Sequence, residues 1–148
     1  MMFMHHKGII HGDLTPRNIL LDRGHCVRIT DFGLSAMPKE GSSLTSEAGV
    51  AQYMAPEHIL GQAGIGSPAD VWSLAMTTIF LFTGRRPFGR FNKKSQVQDA
   101  LRGNILPDEL NDEGMPRELL PVMSKCLTVA PEGRPTMREL LTMLRTAF

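Results

Sequence analysis

The chain has 148 residues, 42% of them hydrophobic and 21% charged, and a net charge of +1. That composition gives room for one core and leaves no electrostatic footprint for nucleic acid or an anionic membrane. The longest apolar-rich run, residues 71–82, falls short of the roughly 20 residues a membrane helix needs, so it reads as a buried core helix. The two cysteines, Cys26 and Cys126, have apolar neighbours and read as buried reduced thiols of a cytoplasmic protein. Residues 1–4 are too short an apolar run for a signal peptide.

In chain order, residues 1–7 read as the end of a helix, with Gly8 as its stop. Ile9-Ile10 and Ile19-Leu20-Leu21 read as short strands around a polar loop. Asp22-Arg23-Gly24 is a turn, and residues 27–30 are a strand leading into Asp31-Phe32-Gly33. Two hairpin-like loops, each offering an oxygen ligand, can place Asn18 and Asp31 around one hard cation. Mg²⁺ suits that arrangement, because it takes few protein oxygens and shares the rest with phosphates and water. Asp13 is then left to orient an attacking hydroxyl.

Residues 34–53 are polar and aperiodic, with Ser42, Ser43, Thr45 and Ser46 among them, and read as a loop. Ser67 as cap, Pro68 at the first helical position and Asp70 in the first turn mark a helix start. The helix that follows is apolar almost all round, as a central helix is, and stops at Thr83-Gly84. Residues 94–102 read as a short surface helix stopped at Gly103, and residues 104–116 as a polar connection. Residues 117–127 are helical by pattern, with Leu119, Met123, Cys126 and Leu127 on one face; Pro121 forces a kink or a later start near Leu120. Thr136 and Glu139 form a capping box for the last helix, whose apolar stripe is Met137, Leu140, Leu141 and Leu144.

Six motifs in fixed order carry a resemblance. They are His11-Gly12-Asp13 with Asn18, Asp31-Phe32-Gly33, Ala55-Pro56-Glu57, Asp70-Val71-Trp72-Ser73, Thr83-Gly84 with Pro87-Phe88, and Arg134-Pro135-Thr136. Together they resemble the C-terminal lobe of the eukaryotic-type protein kinase family, in its serine/threonine or mixed-lineage style. The resemblance implies an α+β fold, mainly α: a kinase-like large lobe with short β hairpins carrying the catalytic and metal-binding loops. It implies a partial kinase domain over residues 1–148, without the N-terminal lobe, its Gly-rich loop or its Lys strand.

The implied activity is transfer of the ATP γ-phosphate to a protein hydroxyl, with Mg²⁺. By resemblance, Asp13 accepts or orients the substrate hydroxyl, and Asn18 and Asp31 hold Mg²⁺ against the phosphates of ATP. Gly33 lets the backbone turn after the metal ligand. Thr15 stands where serine/threonine kinases have a Lys that touches the transferred phosphate. Residues 34–53 correspond to the activation loop, and residues 49–57 to the substrate-docking loop. Glu57 and Arg134 are expected to form a buried ion pair, Asp70 to brace the catalytic-loop backbone, and His11 to pack against the metal-binding loop. The implied partners are a protein substrate, ATP, and an N-terminal lobe or protein covering the exposed lobe face.

Three positions depart from the family. Gly12 replaces the Arg that receives an activation-loop phosphate, so activity is not expected to depend strongly on phosphorylation of residues 42–46. Thr15 lacks the charge of the usual Lys. Val50 replaces the docking-loop Thr that marks serine/threonine specificity. A kinase-derived lobe or pseudokinase that binds partners without transferring phosphate is the alternative reading.

Overall fold

The computed structural model describes residues 1–32, 51–62 and 66–148. At its centre is the helix Ser67–Thr83, here α3. Trp72, Met76 and Ile79 on this helix have no exposed surface, because further helices cover it on several sides. One is Leu120–Cys126 (α5), which brings Val122, Met123 and Cys126 into the core. The last, Met137–Ala147 (α6), packs on α5 and adds Met137 and Leu140. The short helix Pro56–Ile59 (α2) contacts Lys94–Arg102 (α4), whose Val97, Ala100 and Leu101 complete that side. Gly84 ends α3 at φ +67°, a conformation that costs glycine little, with its N–H on the Phe80 carbonyl at 2.9 Å.

Other elements follow local rules. Pro121 lies in the first turn of α5, where a missing N–H costs nothing, and a 3-10 turn at Arg117–Leu119 precedes it. The later start at Leu120 is therefore the outcome, not a kink. Thr136 Oγ1 accepts the Glu139 N–H at 3.2 Å, and the Glu139 carboxylate accepts the Thr136 N–H at 2.7 Å, completing the capping box of α6.

The N-terminal helix Met2–His6 (α1) leads into the site. Strands Ile19–Leu21 (β1) and Val27–Ile29 (β2) then pair antiparallel, Ile19 with Ile29 and Leu21 with Val27. This is one hairpin, where two were expected among the described residues. Ile9-Ile10 form no strand, and the reason is where their backbone donors go. Ile9 N–H closes the end of α1 on the Met4 carbonyl, and the next donors along the chain, His11 and Gly12, go to Asp70. The hairpin turns Leu20, Leu21 and Val27 outward, Leu21 to 67% exposure.

Further expectations need correction. Cys126 is buried, but Cys26 is exposed, at the end of a turn whose N–H groups bond the Asp22 carboxylate. The cap of α3 is Gly66, and Ser67 is already helical. Leu141 lies outside the stripe of α6, which continues through Met143, Leu144 and Ala147. Residues 104–116 are less polar in place than in composition: a 3-10 turn at Asp108–Asn111 buries Leu110, and Met115 is buried beyond it. Gly103 caps the end of α4 as expected, and Asn104 beyond it takes a left-handed φ of +55°.

Candidate active site

Three polar residues on α3, Asp70, Ser73 and Thr77, fall at i, i+3 and i+7 and so lie on one helical face. All three are buried, and each holds a different piece of loop backbone. Asp70 has no exposed surface. Its Oδ2 accepts the His11 N–H at 2.9 Å and the His5 Nε2–H at 2.8 Å, and its Oδ1 accepts the Gly12 N–H at 2.8 Å. Thr77 Oγ1 donates to the Leu14 carbonyl at 2.9 Å. Ser73 Oγ donates to the Tyr53 carbonyl at 2.8 Å. One helix thus fixes residues 11–14 and the segment around Tyr53.

The loop ordered by these contacts carries the expected catalytic set. Asn18 is 8% exposed, and its Nδ2 donates to both the Asp13 carbonyl (2.8 Å) and the Asp13 carboxylate (2.9 Å). Asp13 and Asn18 therefore form one unit. Thr15 lies between them, 7% exposed, its N–H on the Asp13 carbonyl at 2.9 Å and its carbonyl accepting the Asn18 N–H at 3.0 Å. A 3-10 turn, Pro16–Asn18, then delivers the chain into β1.

Asp31 reaches the same end of the hairpin. Thr30 N–H donates to the Asn18 carbonyl at 2.9 Å, extending the β1–β2 pairing by one step and putting Asp31 next to the anchor of Asn18. Asp31 adopts φ +59°, a region Asp and Asn enter more readily than most residues. His11, fully buried, joins the two loops. Its Nε2–H faces the Thr30 carbonyl at 2.9 Å, while Nδ1 accepts the Asp13 N–H at 3.2 Å, which fixes the tautomer. The His11 ring meets Phe32 edge-on at 5.1 Å. Gly33 and Val50 lie outside the described residues, as do Ser42, Ser43, Thr45 and Ser46.

Below the site, the expected ion pair is present. Arg134 meets Glu57 through two parallel bonds of 2.8 and 2.7 Å, and the side chains are 0% and 3% exposed. The remaining guanidinium bonds reach the carbonyls of Pro68, Thr128 and Val129, and the group stacks 5.0 Å from the Trp72 ring. The bracing by His5, Ser73 and Thr77 is absent from the sequence reading. For Ser73 and Thr77 the signal was there: polar residues at helical spacing inside an apolar helix must find partners.

Comparison with known proteins identifies the family. The family profile described as "Protein kinase domain" matches residues 1–144. The serine/threonine-protein kinase GIN4 of Saccharomyces cerevisiae is 36% identical over 141 residues, which cover 94% of this chain and 12% of that protein. The mitogen-activated protein kinase kinase kinase 1 of Arabidopsis thaliana is 37% identical over 145 residues, 95% of this chain and 23% of that protein. The mouse sperm motility kinase 3A is 34% identical over 142 residues, 95% of this chain and 27% of that protein. The chain spans well under a third of each of these relatives. With the profile covering nearly all of it, the chain belongs to the protein kinase domain family.

Proposed function

We propose that this chain carries the catalytic lobe of a serine/threonine protein kinase, which transfers the γ-phosphoryl group of ATP to a protein hydroxyl. The observation that carries the reading is the Asn18 amide, bonded to both the backbone and the carboxylate of Asp13. Phosphoryl transfer needs positioned groups more than covalent help from the protein. Here the carboxylate that would accept a hydroxyl proton is already held.

The donor set also fits Mg²⁺. The Asn18 NH₂ is engaged with Asp13, and its Oδ1 accepts no hydrogen bond among the described residues. An amide oxygen at Asn18 and a carboxylate at Asp31 are the hard donors that such an ion takes. When bound, Mg²⁺–ATP supplies the phosphoryl group and neutralises charge on its oxygens. Asp13 orients the attacking hydroxyl. Asn18 holds Asp13 in place, and His11 ties that loop to the loop of Asp31. Thr15 adds backbone bonds but no charge, so transfer proceeds without the cation that a Lys would bring there. The preset Asp13–Asn18 unit favours catalysis over a role in binding alone.

The test is radiolabelled phosphate transfer to a serine-containing peptide by the intact protein and its Asp13→Ala variant. Loss of a positioned base lowers the rate by about 10²–10⁴-fold. Transfer by Asp13→Ala at the rate of the unaltered protein would refute the assignment.

A further inference from the structure

A cleft of about 610 Å³ opens between Gln52 and the chain that follows α3. Three arginines line it, Arg85, Arg86 and Arg90, together with two acids, Asp108 and Glu109. The acids are engaged. Glu109 is buried and accepts the N–H groups of Phe88 (3.0 Å) and Gly89 (3.2 Å). Asp108 pairs with Arg90 at 2.6 Å, and Arg85 pairs with Asp112 at 3.0 Å. Both pairs are solvent-exposed, and such pairs are weak and exchange partners readily. Arg86 is exposed and has no carboxylate partner among the described residues.

A second guanidinium without such a partner, Arg17, projects from the loop of Asp13, four residues further on. Tyr53, next to Gln52, connects the two. Burial raises the pKa of its phenol, and the charges of Arg86 and Arg17 both pull it back. Ser73 and Thr77, on one face of α3, hold Tyr53 and Leu14, so a cationic strip of Arg17 and Arg86 flanks the Tyr53 segment between the catalytic loop and the cleft that Gln52 lines.

We propose that this strip is the subsite for aspartate and glutamate side chains of the protein substrate. The inference rests on the phosphoryl-transfer reading of the Asp13 site and adds the charge of the substrate to it. The planar guanidinium matches a carboxylate with two parallel bonds. A basic segment would meet Arg17 and Arg86 as like charges, which selects against it.

The test uses three labelled peptides with the same central serine, flanked by glutamates, glutamines or lysines. Fluorescence anisotropy measures their binding to the intact protein without nucleotide, at about 50 and about 300 mM salt. The glutamate peptide binds about tenfold or more tighter than the lysine peptide at low salt, and the gap narrows at high salt. The double variant Arg17→Glu/Arg86→Glu reverses the order, and the milder Arg86→Gln narrows it. The equally charged double variant Arg138→Glu/Arg145→Glu, on the last helix, leaves it in place. Equal or tighter binding of the lysine peptide overturns the proposal. So does reversal by the Arg138/Arg145 control, which would make net charge the cause. Binding without nucleotide is independent of transfer, so unimpaired phosphorylation by Asp13→Ala would remove the kinase reading while leaving the peptide order intact.

Discussion

Replacing Arg134 by alanine tests how the two ends of this lobe are joined. Arg134 donates five hydrogen bonds, two to Glu57 and one each to the carbonyls of Pro68, Thr128 and Val129. Removing it leaves the Glu57 carboxylate 3% exposed and without its cation. Breaking a buried pair from one side costs about 3–5 kcal/mol. Against a total stability of about 5–15 kcal/mol for a domain, that is a large fraction. At about 3–4 °C per kcal/mol for a chain of this size, the melting temperature falls by about 10 °C or more. Circular-dichroism melting of Arg134→Ala measures it. Arg134→Lys falls between, since an ammonium keeps the charge but has no planar fork to span both carboxylate oxygens and three carbonyls. The double variant Glu57→Leu/Arg134→Met separates the terms. It removes both charges, so most of the loss is recovered if the unpaired carboxylate is the whole cost. The three abandoned carbonyls predict instead a residual loss of about 1–3 kcal/mol. A melting temperature for Arg134→Ala within about 2 °C of the unaltered protein would refute the reasoning.

Other sites make separate predictions. Asp70→Asn offers one acceptor oxygen where three donors converge, so a donor is orphaned; stability falls by about 1–3 kcal/mol in a thermal melt. Phosphate transfer falls with it, by up to about a hundredfold, as the loop of Asp13 shifts. Burial pushes the Cys126 thiol up to about 11, so at pH 8 iodoacetamide labels the exposed Cys26 alone, and intact mass shows a second adduct only in denaturant. Burial lowers the pKa of His58, outweighing Glu57 and Asp70, which pull the other way. The folded state then keeps this imidazole neutral where the unfolded chain protonates it below about pH 6.5. Its stabilising contribution is complete above that pH and declines as pH falls through the depressed folded value. Urea melts of His58→Gln should lose part of that acid-side slope.

What was legible in the residues depended on whether a local rule decided the structure. Thr136 and Glu139 form their capping box because both partners lie three residues apart. Pro121 fixes a helix start because its ring allows little else. Asp13, Asn18 and Asp31 were legible through family resemblance, and Asn18 does bond Asp13. The missed features depend on partners far along the chain. Ile9-Ile10 have strand-like side chains, but their surroundings draw the neighbouring N–H groups to Asp70, about 60 residues away. Cys26 has apolar neighbours in sequence, yet its turn faces water. Leu141 follows the apolar spacing of its helix, but its side chain is exposed.

Gly12 illustrates the same point from inside the site. As a sequence feature it was a loss, the absence of an arginine that would receive a phosphate. In place it has φ +78°, with its N–H on Asp70. A side chain at that φ is strained, typically by about 1–3 kcal/mol, and is tolerated only where surrounding contacts hold it. Glycine adopts the conformation freely. By resemblance this position lacks a phosphate receiver, and glycine leaves the backbone just before Asp13 unstrained. Asp70 and Thr77 therefore have less strain to hold in this loop than an arginine would impose. Among the described residues, the loop of Asp13 is held by α3, Asn18 and His11. These contacts come from residues 5–18, from Thr30 and Phe32 through His11, and from α3, so transfer is expected not to depend strongly on phosphorylation of residues 42–46.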